Sequence, residues 1–446
     1  MSPRWGMALG AVVLVALTVW GARHVYAVAH PDLDPGHRFT VVYAVAFAIL
    51  CWQTLLALSE RPYVTSAEQL QLLHRLRVVT NVPIYNEDPA ALKETIASLL
   101  DQTRLPQVIH AVNDGSTRVD YADVRAWAET AATERGVELV WFDKPNGGKR
   151  SAQVVTFSST PDADIYLTVD SDAVLDERAL EEGLKPFADP EVTSVAGVVQ
   201  ALNNRANLLA RLTDLWFVIG QMTDRSSLST MGSVLVNSGP LALYRAQVVR
   251  DHLHTYASEE FLGRRVEFSD DSMLTLFCLC AGKTVQQPTA FAFTLMPETL
   301  DHHLRQYLRW MRGAFIRSFW RFRYLPTNRY AYWAHLAGWV QTLVSLWVFI
   351  ALFVMGAARD PGSVPHLLLI PVLVGYGQAL RYFSARRSDE PAWSRALTVL
   401  LSPLAALWAF FGLRLVRLYA IATCRRTGWG TRESVEVALA RPARAS

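Results

Sequence analysis

Cysteine is scarce in this chain: there are four in 446 residues, Cys51, Cys278, Cys280 and Cys424. None has zinc-ligand spacing in a Cys/His cluster, and two lie in apolar runs, so neither a disulfide framework nor a structural metal is expected. Charge is thin as well. Asp, Glu, Lys and Arg make up 19% of the residues and the net charge is only +3, which excludes the electrostatic footprint of a general nucleic-acid binder. What is abundant is apolar: 51% of the chain is hydrophobic, above the usual range of a soluble enzyme. The few charges are unevenly placed, the pattern of a membrane protein with a polar middle. The length suits two or three domains.

A mostly apolar run from about Gly6 to Val28 is followed by a polar, turn-rich piece, His30 to Arg38, and a second run from about Val41 to Leu58. Each approaches the roughly 20 residues that cross a hydrocarbon core. A cleaved signal peptide is the alternative for the first run. It is disfavoured because the second run follows at once and no small-x-small cleavage site separates them. Arg61, Arg75 and Arg77 come next, and the positive-inside bias puts the middle of the chain in the cytoplasm. The C-terminal third returns to membrane texture, with span candidates at Ala331–Gly356 and Val364–Leu380. The last apolar stretch, about Ala396 to Ala422, lies between two basic clusters. Arg381, Arg386, Arg387 and Arg395 precede it; Arg425, Arg426, Arg432, Arg441 and Arg444 follow it. Both clusters favour the cytoplasmic side, so a hairpin or re-entrant pair broken near Pro403 or Gly412 is expected, with one long crossing as the alternative.

Between about Leu76 and Val285 strands alternate with helices. Strands are expected at Val78–Val82, Val108–Val112, Val137–Phe142 and Ile165–Val169, and helices at Pro89–Gln102 and Ala122–Arg135. That order implies an α/β domain with a mostly parallel sheet and helices on its faces. Ligands of such sheets sit at the carboxyl ends of the strands, and the polar motifs fall there one after another. Pro83-Ile-Tyr85-Asn-Glu87 follows the first strand, Asn113-Asp114-Gly-Ser116 the second, Asp143 to Arg150 the third, and Asp170-Ser-Asp172 the fourth. Two carboxylates spaced i, i+2 at a strand end can converge on one hard cation, Mg²⁺ or Mn²⁺, leaving its other positions to phosphate oxygens. Alone, Asp170-Ser-Asp172 reads equally as an Asx turn, and each neighbouring motif as an ordinary βα loop. In series they supply what a sugar nucleotide needs: an aromatic and acceptors for base and ribose, a Gly-Gly loop that lets backbone approach phosphate, cations, and a metal site.

The series P-x-Y-N-E, N-D-G-S, N-G-G-K-R and V-D-S-D resembles the inverting processive family-two glycosyltransferases, among them the hyaluronan, chitin and cellulose synthases. The resemblance covers roughly residues 76 to 326 and one tail motif. It implies a cytoplasmic GT-A domain fused to membrane helices, UDP-sugar donors and a nascent polysaccharide acceptor. Tyr85, Glu87 and Asp114 would hold the uridine, Lys149 and Arg150 the diphosphate, and Asp170 and Asp172 the metal. Ser238-Gly239-Pro240-Leu-Ala-Leu-Tyr-Arg245 is similar to the S-G-P-L-x-x-Y-R of hyaluronan synthases, which lines the acceptor floor. Ser269-Asp270-Asp271-Ser272 resembles their G-D-D-R, with serines in place of Gly and Arg. The match makes Asp271 the expected general base and Asp270 its support; the same residues also suit a helix start. Gln306-Tyr-Leu-Arg309-Trp310 matches Q-x-x-R-W, whose Arg clamps the diphosphate and whose Trp stacks under the acceptor sugar. Arg305 precedes it where a second Gln is more usual. Trp429-Gly-Thr-Arg432 resembles the W-G-T-R of a segment that closes over the nucleotide.

Residues 1–60 are thus expected to be two transmembrane helices, 61–300 the catalytic domain, 301–330 interfacial helices, 331–423 C-terminal membrane helices and 424–446 a cytoplasmic tail. The basic, aromatic run Met311–Tyr324 is read as lying on the bilayer; binding of single-stranded nucleic acid is the other reading of such a run and is not adopted. These expectations describe a multi-pass plasma-membrane enzyme, a monomer, making hyaluronan or, as nearest competitor, a chitin-type polymer. Transfer of one sugar to a lipid carrier is disfavoured by Q-x-x-R-W and the C-terminal spans. A pseudoenzyme that only binds nucleotide sugars is disfavoured by the intact Asp170, Asp172 and Asp271.

Overall fold

The computed structural model describes residues 3–29, 40–385, 387, 390–428, 437 and 439. Trp429 and Arg432 of the tail motif lie outside the described residues. β1 (Val78–Ile84) is buried along its whole length, as a strand covered on both faces must be; it runs two residues past its expected end, through Pro83. β2 (Val108–Asn113), β3 (Glu138–Asp143) and β4 (Ile165–Thr168) match expectation within a residue. The helices Pro89–Leu100 and Ala122–Glu134 end slightly early. Asp88 caps the first, accepting from Ala90 N at 3.2 Å, and Pro89 takes the first helical position, where its missing N–H costs nothing.

The remaining strands are β5 (Ala173–Leu175), β6 (Val192–Ala201), β7 (Ala242–Arg245), β8 (Glu260–Phe261), β9 (Arg264–Arg265) and β10 (Lys283–Thr294). β8 and β9 pair only with each other; the main sheet has the order β3-β2-β1-β4-β7-β6-β10-β5. The parallel run expected from the sequence is β3-β2-β1-β4. Beyond it the sheet is mixed: β7 is antiparallel to β4 and β6, and β10 is parallel to β6 but antiparallel to β5. Reversal at β7 brings the segment that enters it, Ser238-Gly239-Pro240, to the carboxyl end of β4. The ends of β6 and β10 reach the same rim.

Side chains alternate across the sheet. Val78, Val82 and Ile84 pack with Leu92, Ile96 and Leu99 on one face, and Val79 with Phe157, Tyr166, Tyr244 and Phe277 on the other. The second cluster continues through Leu325 into Ala331, Tyr332 and Leu336, at the start of the apolar helix Tyr330–Val348. The α/β domain and that helix therefore share one core.

Among the described residues, four helices are long and apolar enough to cross a membrane: Trp5–Ala27, Tyr330–Gly356, Val364–Ser384 and Ser402–Ala422. Thr40–Ser59 is helical with a shorter apolar part. The hairpin expected over Ala396–Ala422 is not seen: after a break at Leu401 that ends Ala392–Leu400, Ser402–Ala422 runs on as one helix long and apolar enough to cross, the alternative expectation. Gly412 breaks nothing; it lies in a π-helical segment, Trp408–Leu413. Both flanks of this last long helix meet the α/β domain. Arg211 donates to Ser394 and Thr398 before it, and Glu267 N donates to Thr427 O after it.

The separate interfacial helices expected over 301–330 are replaced by one helix, Leu300–Tyr324, that carries both Q-x-x-R-W and the basic run. Part of its basic face is turned away from any bilayer. Arg317 is fully buried and paired with Glu259 (2.8 and 3.0 Å), and Arg321 is buried with Nη2 on Leu235 O (2.6 Å). A buried carboxylate and a free carbonyl draw these guanidiniums inward, since a buried cation needs such partners.

The same helix fixes a backbone of unusual shape. Ser269 has φ +58°, the left-handed region that favours glycine. Its Oγ fills the space over Gly313, where a Cβ would lie 1.6 Å away. Gly313→Ala is expected to cost about 1–3 kcal/mol of stability by overpacking. Adding Ser269→Gly should recover much of that loss, as measured by thermal unfolding of the detergent-solubilised protein in a double-mutant cycle.

Candidate active site

Four strand ends build one wall. Asp114 follows β2, and its carboxylate accepts from Gly147 N (3.0 Å) and Gly148 N (2.7 Å) and pairs with Lys144. At Gly115, φ is +72° and a Cβ would come within 2.6 Å of Asn146 N, so only glycine lets these two loops close. Asp114 lines the cavity as expected, but its oxygens are engaged in shaping the Gly147-Gly148 loop. Tyr85 lines the cavity beside it. Glu87 does not line it: buried, it accepts from Ser171 Oγ at 3.0 Å and so fixes the turn between Asp170 and Asp172. Arg150 is turned away as well, paired with Glu259 (2.8 Å) and donating to Tyr256 O (3.2 Å) and Phe268 O (3.1 Å). Lys149 opens the helix Lys149–Ser159 and faces the rim; the next residue is rotated about 100° further, into the interior.

Lys149 Nζ donates to Asp170 Oδ1 (2.5 Å) and lies 3.4 Å from Asp270 Oδ2. Burial opposes its charge, but Asp170 and Asp270 outweigh burial and raise its pKa. Asp270 also accepts from Gln153 Nε2 (3.1 Å). Burial alone would push the Asp270 carboxyl up; Lys149 and Arg150 outweigh it and hold the group below the usual carboxylate range. Asp271 goes the other way. Burial, then the charge of Asp270, push it up to about 7. Adjacent carboxyls with opposed shifts mark a division between a permanently charged group and one able to exchange a proton near neutrality.

Asp270 and Asp271 open the helix Asp270–Ala281. Ser272, which stands where the related sequences have arginine, accepts from Arg317 Nε (3.1 Å) through its Oγ. A guanidinium is thus present at the loop, supplied by the helix Leu300–Tyr324.

Asp170 and Asp172 both line the cavity, and Thr294 Oγ1 donates to Asp172 Oδ1 (3.3 Å). Gly239 faces Asp170: a Cβ there would sit 3.0 Å from both carboxylate oxygens. The missing side chain keeps that approach open, and an oxygen-only donor pair fits a hard divalent ion. Among the described residues no cluster of three or more His, Cys, Asp or Glu is arranged for a metal, so an ion held here would take its other ligands from substrate and water.

The cavity enclosed by these loops has a volume of about 860 Å³. Ser238, Gly239 and Pro240 line it from below, and Gln306, Arg309 and Trp310 line it from the long helix. Trp310 stacks on Phe217 at 5.8 Å. Three lining arginines were not anticipated: Arg225, Arg265 and Arg321. Arg225 donates to Gly197 O (3.1 Å), Gln221 Oε1 (3.2 Å) and Ser238 Oγ; Arg321 lines the cavity from the long helix. Burial lowers Arg225 to about 10 and Arg321 to about 9, which leaves both charged at neutral pH. The clue to Arg321 was helical spacing: Gln306, Trp310, Gly313, Arg317 and Arg321 recur every three or four residues, along one stripe. Arg225 carried no such signal.

Residues 74–313 match the family described as glycosyltransferase like family 2. The chain is a family 2 glycosyltransferase. This transferase is 33% identical over 366 residues to hyaluronan synthase of Streptococcus pyogenes, spanning 82% of this chain and 85% of that one. It is 30% identical over 377 residues to an N-acetylglucosaminyltransferase of Azorhizobium caulinodans, spanning 82% and 90%. Its fold is shared with the mannosyltransferase PcManGT from Pyrobaculum calidifontis, solved with GDP-Man and Mn²⁺: the TM-score is 0.55 at 19% identity, over 87% of this chain and 99% of that one. The transferase thus joins a GT-A fold to long apolar helices and resembles the hyaluronan synthases.

The transfer rate is expected to rise with pH along an acid limb centred near 7, as Asp271 loses its proton. Asp270→Asn removes a charge that raises Asp271, so the limb should move to lower pH. Initial rates across the neutral range test this; an unmoved limb would assign it to another group.

Proposed function

We propose that this transferase is a processive, inverting β-glycosyltransferase that polymerises UDP-sugars on the cytoplasmic side of the plasma membrane and passes the polymer through its membrane helices. The observation that carries the proposal is the Lys149 bridge, which holds the acidic pair at 170 and 172 and the pair at 270 and 271 in one cavity with Q-x-x-R-W. Tyr85 and Asp114 would face the uridine, with Glu87 holding their rim from behind. Lys149 and Arg309 surround the diphosphate with positive charge as it departs. Mg²⁺ or Mn²⁺, when held by Asp170 and Asp172, supplies further neutralisation of that leaving group. Trp310, braced by Phe217, offers a flat face to the acceptor sugar. Asp271 takes the proton of the acceptor hydroxyl as its oxygen bonds to the anomeric carbon from the face opposite the departing UDP. Arg432 and Trp429 enter only through the tail motif, as a segment that closes over the nucleotide.

The product we propose is hyaluronan, from UDP-N-acetylglucosamine and UDP-glucuronate. S-G-P-L-x-x-Y-R and W-G-T-R support it, as does the identity with a hyaluronan synthase. A polymer of N-acetylglucosamine is the second reading, favoured by the similarity to an N-acetylglucosaminyltransferase.

Purified protein incubated with single and paired UDP-sugars, followed by linkage-specific hydrolases, decides between them. Polymer that needs both N-acetylglucosamine and glucuronate donors is expected; polymer from one donor alone would move the reading to chitin or cellulose. Asp271→Asn should abolish synthesis while UDP binding, measured by calorimetry, survives. Retained synthesis would remove the assignment of the base.

A further inference from the structure

The helix Leu208–Gly220 is capped by Asn207, which accepts from Ala210 N (2.9 Å). In its second turn stands Asp214, fully buried. The Asp214 carboxylate accepts from Ala201 N (2.6 Å), at the end of β6, and from Tyr382 Oη (2.7 Å), and it pairs with Arg387 (3.2 Å). Arg387 donates in turn to Ala201 O (2.5 Å), so both backbone groups of Ala201 end on one ion pair. Glu390 lies 3.8 Å from Arg387 and 4.0 Å from Arg211, and accepts from Ser394 Oγ (2.6 Å). Two carboxylates and two guanidiniums thus alternate. Tyr382, Arg387, Glu390 and Ser394 come from the end of the apolar helix Val364–Ser384 and the stretch that follows it. Buried ion pairs of this kind are often no more stabilising than apolar packing of the same volume. Their directional bonds instead restrict sliding, which apolar contact alone permits.

What this network holds is the helix that carries Phe217. Phe217 stands three residues after Asp214, a neighbour on the helix surface. It lines the cavity and stacks on Trp310, with ring centroids 5.8 Å apart and planes 28° apart. Trp216 beside it meets Tyr307 edge-on at 5.8 Å. The loops at Asp114, Lys149 and Asp170, by contrast, are held by bonds among themselves. We propose that Asp214, with Tyr382 and Arg387, is a positioning residue for the acceptor sugar: the network sets the height of Phe217 and so the plane of Trp310 on which that sugar stacks. The inference rests on the acceptor role proposed for Trp310. It adds that this face is held in place from the membrane side of the protein.

The test measures the mean length of polymer made by the full-length protein in detergent, with UDP-N-acetylglucosamine and UDP-glucuronate saturating, together with the KM for each donor. Tyr382→Phe removes one hydroxyl; Asp214→Asn keeps the shape and removes the charge. Each should shorten the product about threefold or more, within what the loss of one charge-assisted hydrogen bond allows. The KM for each donor should stay within about twofold of the native value. Trp310→Ala alone should also shorten the product. Adding Tyr382→Phe to Trp310→Ala should shorten it no further, because the hydroxyl acts only through that ring. Unchanged length in both Tyr382→Phe and Asp214→Asn overturns the inference. So does a donor KM that rises in step with the loss of length, which is what general loosening of the fold gives, and so does a further loss in the double variant. If Trp310→Ala leaves length unchanged, the acceptor role of Trp310 falls and the positioning role with it. If Trp310→Ala shortens the product while Tyr382→Phe and Asp214→Asn do not, the proposed function stands and only the positioning role falls.

Discussion

One half-buried ammonium holds the candidate active site together. Lys149 stands between Asp170 and Asp270, carboxylates contributed by segments far apart in sequence. Without it, the acidic groups at 170, 172, 270 and 271 would face one another around one cavity, where like charges repel. With it, one wall of the site is pinned to the other, and the field becomes uneven. Asp270 is held ionised, while Asp271, raised by burial and by the charge of Asp270, is pushed up to about 7. The geometry that joins the sheet rim to the helix Asp270–Ala281 thus goes with opposed shifts of two adjacent carboxyls.

Around that centre, the long helix Leu300–Tyr324 acts as a common beam. It presents Gln306, Arg309 and Trp310 to the cavity, buries Arg317 against Glu259, and receives the C-terminal helix through Trp408 on His303 (3.2 Å) and Thr423 on Arg312 (3.0 and 3.1 Å). Glu259 also binds Arg150 and Trp320, so the segment leading to Asp270 is fixed from two sides. On the far flank, Asp214 accepts from Ala201 N (2.6 Å) and Tyr382 Oη (2.7 Å) and pairs with Arg387 (3.2 Å). That buried network anchors the helix bearing Phe217, and through Phe217 the ring of Trp310. Polar groups buried this deeply are stable only when satisfied, and here each satisfied set positions a cavity residue.

The rim was legible because its parts are local. Buried strands read as apolar runs, and the loops after them carry Gly, Asp and Asn wherever the backbone must turn or bind; Tyr85, Asp114, Lys149 and Asp170 were found that way. What local pattern could not show is direction and distance. Glu87 and Arg150 sit in the right motifs but point into the protein, because successive residues of a helix or turn cannot all face one cavity. Arg225 and Phe217 come from an apolar helix whose proximity to Ser238 and Trp310 depends on the strand reversal at β7, a feature of topology that no short pattern encodes. Two arginines of the basic run 311–324, Arg317 and Arg321, turn inward for a related reason: charge and aromaticity fit a bilayer surface equally well, and only the fold shows Glu259 beneath Arg317.

The shared core noted for Tyr332 and Leu336 carries a further meaning. Those side chains belong to the same packed cluster as Met273 and Phe277, which sit on the helix that begins with Asp270 and Asp271. Packed interiors transmit displacement instead of absorbing it. A change in tilt of the helix Tyr330–Val348, such as a thinner or thicker lipid layer would impose, would be felt at Asp271, the base we propose. Lipid composition then becomes a chemical variable of this enzyme, acting on its turnover without touching its substrates.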